Sequence, residues 1–165
     1  MKPKIIRSLW GCSYTGWVSL TSKGASGGII VMWDKRAVNL VEYVGEFVAA
    51  CSFKNVEDGF GWGFAGVYGP KVYSNRKFLW DELTGLCSWW AGPRCIGWDF
   101  NITQFPSERL GDSSFGSPMT DFSFLIFELD LVDIPLDGGD FTWSNGRAWS
   151  RLDRFIVSFM GGSFP

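Results

Sequence analysis

Between Gly27 and Tyr68 the chain alternates short β-branched and aromatic runs with Gly, Asn and Asp, the pattern of sheet strands separated by tight turns. Four strands are predicted, Ile29–Trp33, Leu40–Val44, Phe47–Phe53 and Phe60–Tyr68, joined at Asp34-Lys35-Arg36, Gly45-Glu46 and Glu57-Asp58-Gly59. Connections this short imply antiparallel neighbours. The period then changes. Leu79, Leu83, Leu86 and Trp90 recur at helical spacing, with Arg76, Lys77, Asp81 and Glu82 on the polar side, so an amphipathic helix is predicted that stops near Gly92-Pro93. Cys95-Ile96-Gly97-Trp98 reads as a buried strand that delivers Asp99-Phe100-Asn101 to a sheet edge. Ser117 suits the cap and Pro118 the first turn of a second helix, whose apolar face is Phe122, Leu125, Ile126 and Leu129. After it come Leu131–Pro135, a turn at Asp137-Gly138-Gly139, a strand Phe141-Thr142-Trp143, a turn at Asn145-Gly146 and a last strand near Leu152–Ser158. Ahead of Gly27 lie a basic segment and Trp10, with no clear edge strand. Strands interleaved with helices predict an α/β layered sandwich.

Composition narrows this picture. A chain of 165 residues holds one domain, and 46% hydrophobic residues with 10 Trp exclude a disordered or low-complexity segment. The net charge of −2 and a pI near 5.1 supply no bulk positive field for nucleic acid, so phosphate binding has to come from a local patch. Lys2, Lys4, Arg7, Lys23, Lys35 and Arg36 crowd the start, and Arg147, Arg151 and Arg154 stand near the end. They read either as solvated surface or as one basic groove. Cys12, Cys51, Cys87 and Cys95 show no C-x-x-C spacing, which fits reduced thiols. No apolar run reaches the ~18 residues of a membrane span, and Met1-Lys2-Pro3-Lys4 is not followed by a signal-peptide core. An intracellular protein is expected.

Candidate chemistry is sparse. Asp99 and Asn101, alternate residues at a strand end, face the same way. A carboxylate that orients or deprotonates water and an amide that holds phosphate suit phosphodiester hydrolysis, although D-x-N is equally a turn or cap. Arg151 and Asp153 alternate with Leu152 and Phe155, as either a charged strand face or a cross-strand ion pair. Tyr68 ends its strand at the Gly69-Pro70 turn, where its hydroxyl can reach a site.

Taken in order, Ser26-Gly27-Gly28-Ile29 through Trp33-Asp34, Gly66-Val67-Tyr68-Gly69-Pro70, Trp80-Asp81-Glu82-Leu83, Cys95 to Asn101, Phe141-Thr142-Trp143-Ser144-Asn145 and Ser150 to Ser158 span nearly the whole chain. Together they resemble the endonuclease/exonuclease/phosphatase domain, similar to DNase I and apurinic endonucleases, in the form found in plant LINE-type retrotransposons. The resemblance implies a DNase I-like four-layer β-sandwich with outer helices. It implies that Asp99 works on the attacking water, Asn101 holds the phosphate, Tyr68 lies beside the scissile group and Asp153 orients a histidine. Trp143, Asn145 and Arg151 would bind substrate. It also implies magnesium, held mainly by a glutamate, a DNA substrate, and a reverse transcriptase domain fused in the parent element.

The departures shape the functional expectation. The family's first strand, its metal-binding Glu and its closing Ser-Asp-His motif have no counterpart between Met1 and Pro165, and the chain holds 0 His. An incomplete domain, inactive as it stands, is therefore expected. Trp98 replaces a glycine usual before the aspartate, and its indole would either obstruct the phosphate or turn into the core. Lys71 stands where many relatives carry Asn.

Overall fold

The computed structural model describes residues 3–21, 28–45, 47–90, 92–111 and 117–158. Ser26, Gly27, Glu46 and the stretch from 159 to 165 lie outside the described residues. Helix α1 (Pro3–Leu9) comes first and buries Ile6. Strands β1 (Thr15–Leu20) and β2 (Ile29–Asp34) form an antiparallel hairpin, with Thr15 opposite Asp34 and Leu20 opposite Ile29.

The main sheet contains β3 (Val38–Val44), β4 (Val48–Asn55), β5 (Gly61–Tyr68), β6 (Arg94–Asp99), β8 (Val132–Asp133) and β11 (Asp153–Ser158). Its order is β3-β4-β5-β6-β11-β8. The first three strands pair antiparallel, as their short connections require. β5 and β6 run parallel, and helix α2 (Tyr73–Trp89) makes the crossover such a pair needs. Strands β7 (Arg109–Leu110), β9 (Trp143–Ser144) and β10 (Trp149–Ser150) form a small separate sheet.

Two cores lie on opposite faces of the main sheet. On one face α2 and helix α3 (Ser117–Glu128) press Leu79, Leu83, Phe122 and Ile126 onto Val48, Val67, Ile96 and Ile156. On the other, Ile29, Val31 and Trp33 of the hairpin pack on Ala49, Cys51 and Phe53. The chain is an α/β sandwich with α2 and α3 outside on one face.

That second face is covered in part. Beyond the hairpin, Trp98 is 61% exposed and Phe155 43% exposed, beside exposed Ile134. Cys51 is buried, which pushes its thiol up to about 12 and makes it inert, and all four cysteines are free.

Four expectations require correction. A strand, β1, precedes Gly27, and β2 pairs with it rather than with β3. The turn between β2 and β3, closed by Ala37 N–H donating to Asp34 O at 3.0 Å, moves the chain from one layer to the other instead of forming a hairpin. The strand expected at Phe141–Trp143 is reduced to Trp143–Ser144, because Thr142 turns its hydroxyl onto the Leu152 and Asp153 amides. Trp98 does not enter the core, as its exposure shows.

Candidate active site

Strand register brings three of the expected residues into one row. Tyr68 on β5 and Asp153 on β11 each pair directly with Asp99 on β6. The row ends where β5 turns into α2, and the closeness there depends on glycine. Gly69 N–H donates to Asp99 O at 2.6 Å, and a Cβ at Gly69 would sit 2.0 Å from Phe100 O. Any side chain there would push the two loops apart.

Past the row the chain bends, with Asn101 at φ 51°, a left-handed conformation that Asn tolerates. Its backbone N–H donates to Asp99 Oδ1 at 2.8 Å. Its Nδ2 donates to Gly69 O at 2.8 Å and to Asp99 Oδ2 at 3.2 Å. Both amide hydrogens are therefore spent inside the protein, leaving Oδ1 as the side chain's free acceptor.

Tyr68, Asp99, Asn101 and Trp143 line one cleft of about 650 Å³, together with Lys71, Arg76, Arg109, Thr103, Met119 and Ser150. Asp99 is the single carboxylate among these lining residues, facing three cations. Asp153 lies on an adjoining apolar groove with Trp98, Phe155, Ile134 and Arg151. Trp98 thus stands beside the site and not over the cleft.

Asn145 and Arg151 are placed elsewhere. Asn145 Oδ1 accepts from Arg147 N at 3.0 Å and Ala148 N at 2.9 Å, which closes the β9–β10 turn. Arg151 pairs with Asp133 at 3.0 Å and Glu108 at 3.5 Å. Arg76, Arg109 and Ser150 were not singled out from sequence. Arg76 carried a signal, a cation in the first turn after Gly69-Pro70, but it reads there as the polar side of a helix.

Burial chiefly, and then the charge of Asp153, push the Asp99 carboxyl above its usual range, while the Asn101 N–H and Lys71 pull it down. A carboxyl whose native value is raised holds its proton longer folded than unfolded. Stability is accordingly lost as pH climbs from about 3.8 through the raised native value. Asp99→Asn removes the titrating carboxyl while trading one acceptor oxygen for an NH2 that faces an Asn101 donor, so its Tm relative to the parent is expected to be higher at pH 7 than near pH 3. Equal Tm shifts at both pH values in thermal melts would contradict this.

Magnesium binds through one or two carboxylates and keeps several waters. Among the described residues no three His, Cys, Asp or Glu side chains cluster to hold a metal, and both Asp99 oxygens already accept from Asn101. The described residues offer at most the Asp99 and Asp153 carboxylates in the row, with no third acidic, His or Cys side chain clustered beside them. Nor, among the described residues, is any helix long and apolar enough to cross a membrane.

No family model matches the chain, and no curated protein matches it. Solved structures do match. The endonuclease domain of TRAS1, a telomere-specific non-LTR retrotransposon, aligns at TM-score 0.67 and 12% identity, over 90% of this chain and 69% of that one. An endonuclease/exonuclease/phosphatase family protein from Bacteroides thetaiotaomicron aligns at TM-score 0.61 and 14% identity, over 94% and 64%. D. rerio TDP2 complexed with single-strand DNA product aligns at 0.59 and 10%, over 100% and 70%. The chain spans about two thirds of each of these proteins. With its layered sheet, its outer helices and these neighbours, the chain has the DNase I-like fold of the endonuclease/exonuclease/phosphatase proteins.

Proposed function

We propose that this chain is part of a metal-dependent phosphodiesterase domain of the kind found in LINE-type retrotransposon endonucleases, and that these 165 residues hold a DNA phosphodiester without cutting it. The observation that carries the reading is the pair Tyr68 and Asp99 in a cleft whose remaining charged lining, Lys71, Arg76 and Arg109, is cationic, with Asp153 next to Asp99 in the same row but on the adjoining groove. A raised-pKa carboxylate suits a base that takes a proton from water near neutral pH, and the cations suit phosphate oxygens. The fold of a retrotransposon endonuclease supports the same reading.

Three features support the absence of cutting. Asn101 has no amide hydrogen left for phosphate. The chain holds 0 His, so Asp153 has no imidazole to orient and the leaving oxygen has no imidazolium to protonate it. No three acidic, His or Cys side chains cluster among the described residues to hold a metal.

Incubated with supercoiled plasmid in magnesium, the purified chain is expected to leave it supercoiled. Nicking abolished by Asp99→Ala would overturn this half of the proposal, whereas nicking unchanged by that substitution would mark a contaminating nuclease. The intact row of three side chains favours a second reading, in which a longer chain supplying a histidine to Asp153 and an acidic metal ligand nicks DNA. Its signature is Asp99-dependent nicking gained on extension.

A further inference from the structure

Two partly buried arginines of this protein, Arg76 and Arg94, bond to backbone carbonyls and to no carboxylate among the described residues, and of the two Arg76 lines the cleft. Arg151 and Arg154 are each met by two carboxylates, Glu108 and Asp133. Arg76, half-buried in the first turn of α2, has neutral partners. Its Nε donates to Pro70 O at 3.2 Å and its Nη2 to Asn101 O at 2.9 Å. Among the described residues no carboxylate pairs with it and its Nη1 has no partner, yet the side chain lines the cleft. Taking a guanidinium partly out of water without a counter-charge is costly, and an anion in the cleft would offset that cost.

A second cation lines the same cleft. Lys71 is exposed and acts electrostatically on Asp99. Both cations reach the cleft from the Gly69-Pro70 turn and the first turn of α2, whereas Arg109 and Ser150, which also line it, pair across β7 and β10.

We infer that Arg76 and Lys71 form a subsite for a non-scissile backbone phosphate, where α2 begins, beside the phosphate addressed by Asp99. This rests on the reading of the cleft as a phosphodiester site and adds that its ligand is a strand with more than one phosphate, not a small phosphomonoester. Arg76 suits the position because its planar fork can hold Asn101 O with one nitrogen and a phosphate oxygen with another. The same guanidinium then fixes the Asn101 loop and contacts the ligand.

Fluorescence anisotropy of the full chain with a labelled twelve-base-pair duplex, in EDTA over a series of salt concentrations, tests the subsite. The slope of log Kobs against log salt falls by about 0.9 for each phosphate contact removed. Lys71→Ala and Arg76→Gln are each expected to flatten the slope by about that amount and to weaken binding several-fold. Asp99→Asn is expected to bind as tightly as the parent or tighter. Should Arg76→Gln melt at a lower temperature because the Pro70 and Asn101 carbonyls lose their donor, Lys71→Ala at its exposed position decides. Parent binding with an unchanged slope in Lys71→Ala would overturn the subsite while leaving the phosphodiester site standing. No duplex binding by the parent at low salt would overturn both. Competition by polyglutamate as effective as that by unlabelled duplex would also overturn it, since it would show an acidic-peptide surface.

Discussion

Arg154→Met is expected to destabilise the chain by about 3–5 kcal/mol at pH 7, the usual cost of removing one partner from a buried ion network. Arg154 is 2% exposed on β11. Its Nη2 meets Glu108 Oε2 at 2.7 Å, and its Nη1 meets Asp133 Oδ2 at 2.9 Å and Gln104 Oε1 at 3.2 Å. The guanidinium also lies 5.2 Å from the Phe122 ring centre, over the core. Methionine fills much of the volume but leaves two largely buried carboxylates with Arg151 as their remaining cation. Burial already raises Asp133 above the usual carboxyl range, against the pull of Arg154 and Arg151. Without Arg154 the carboxyl rises further, so the folded variant binds more protons than its unfolded chain over a wider pH window. Its stability then falls as pH climbs through that window. The deficit relative to the parent should be largest near pH 7 and shrink toward pH 4. Urea denaturation at both pH values measures it, and a loss below 1 kcal/mol at pH 7 would sink the argument.

The network also explains how the site is held. Glu108 Oε2 accepts from the Gln104 and Phe105 amides at 2.6 and 3.3 Å, and so fastens the loop after Asn101. The same carboxylate takes Arg154, next to Asp153 in the row. Loop and strand are thus joined through one acid. None of this was visible in the pattern along the chain, since Glu108 and Arg154 are 46 residues apart and each reads locally as a surface charge.

What was legible followed short-range rules. β4 and β5 emerged from β-branched and aromatic runs bounded by turn residues, β6 from a short apolar run, and α2 from leucines at helical spacing. Tyr68, Asp99 and Asp153 were expected together from family order, and strand register explains why, because each ends a strand adjacent to the next. β1 was hidden because its run, Thr15-Gly-Trp-Val-Ser-Leu20, interrupts its three apolar residues with small and polar ones. Gly16 is there for a tertiary reason. A Cβ on it would lie 2.3 Å from the Trp33 ring across the hairpin. Arg76 was likewise illegible as a site residue, because its meaning lies in two carbonyls and an absent carboxylate.

Trp98 offers the second large effect, and it concerns the backbone. Residue 98 pairs with Arg154 and Val67, so strand alternation assigns it to the helix-covered face. Its φ of 105° breaks that alternation, and the exposed indole stands on the groove wall with Phe155 and Asp153. An L-residue in this region is strained by about 1–3 kcal/mol, and glycine is not. Trp98→Gly is therefore expected to be more stable than Trp98→Ala by about 1–2 kcal/mol, although glycine costs more backbone entropy. Comparing these two removes the indole from both, so the difference reports the backbone alone. In a chain of this size that difference is a Tm gap of roughly 2–8 °C. Relief of strain next to Asp99, in a stretch already paired in continuous register with β11, would also show as slower amide exchange at residues 97 to 99 and 153 to 155. An alanine variant as stable as the glycine one would mean that the chain holds residue 98 without strain, with the indole rather than the backbone setting its exposure.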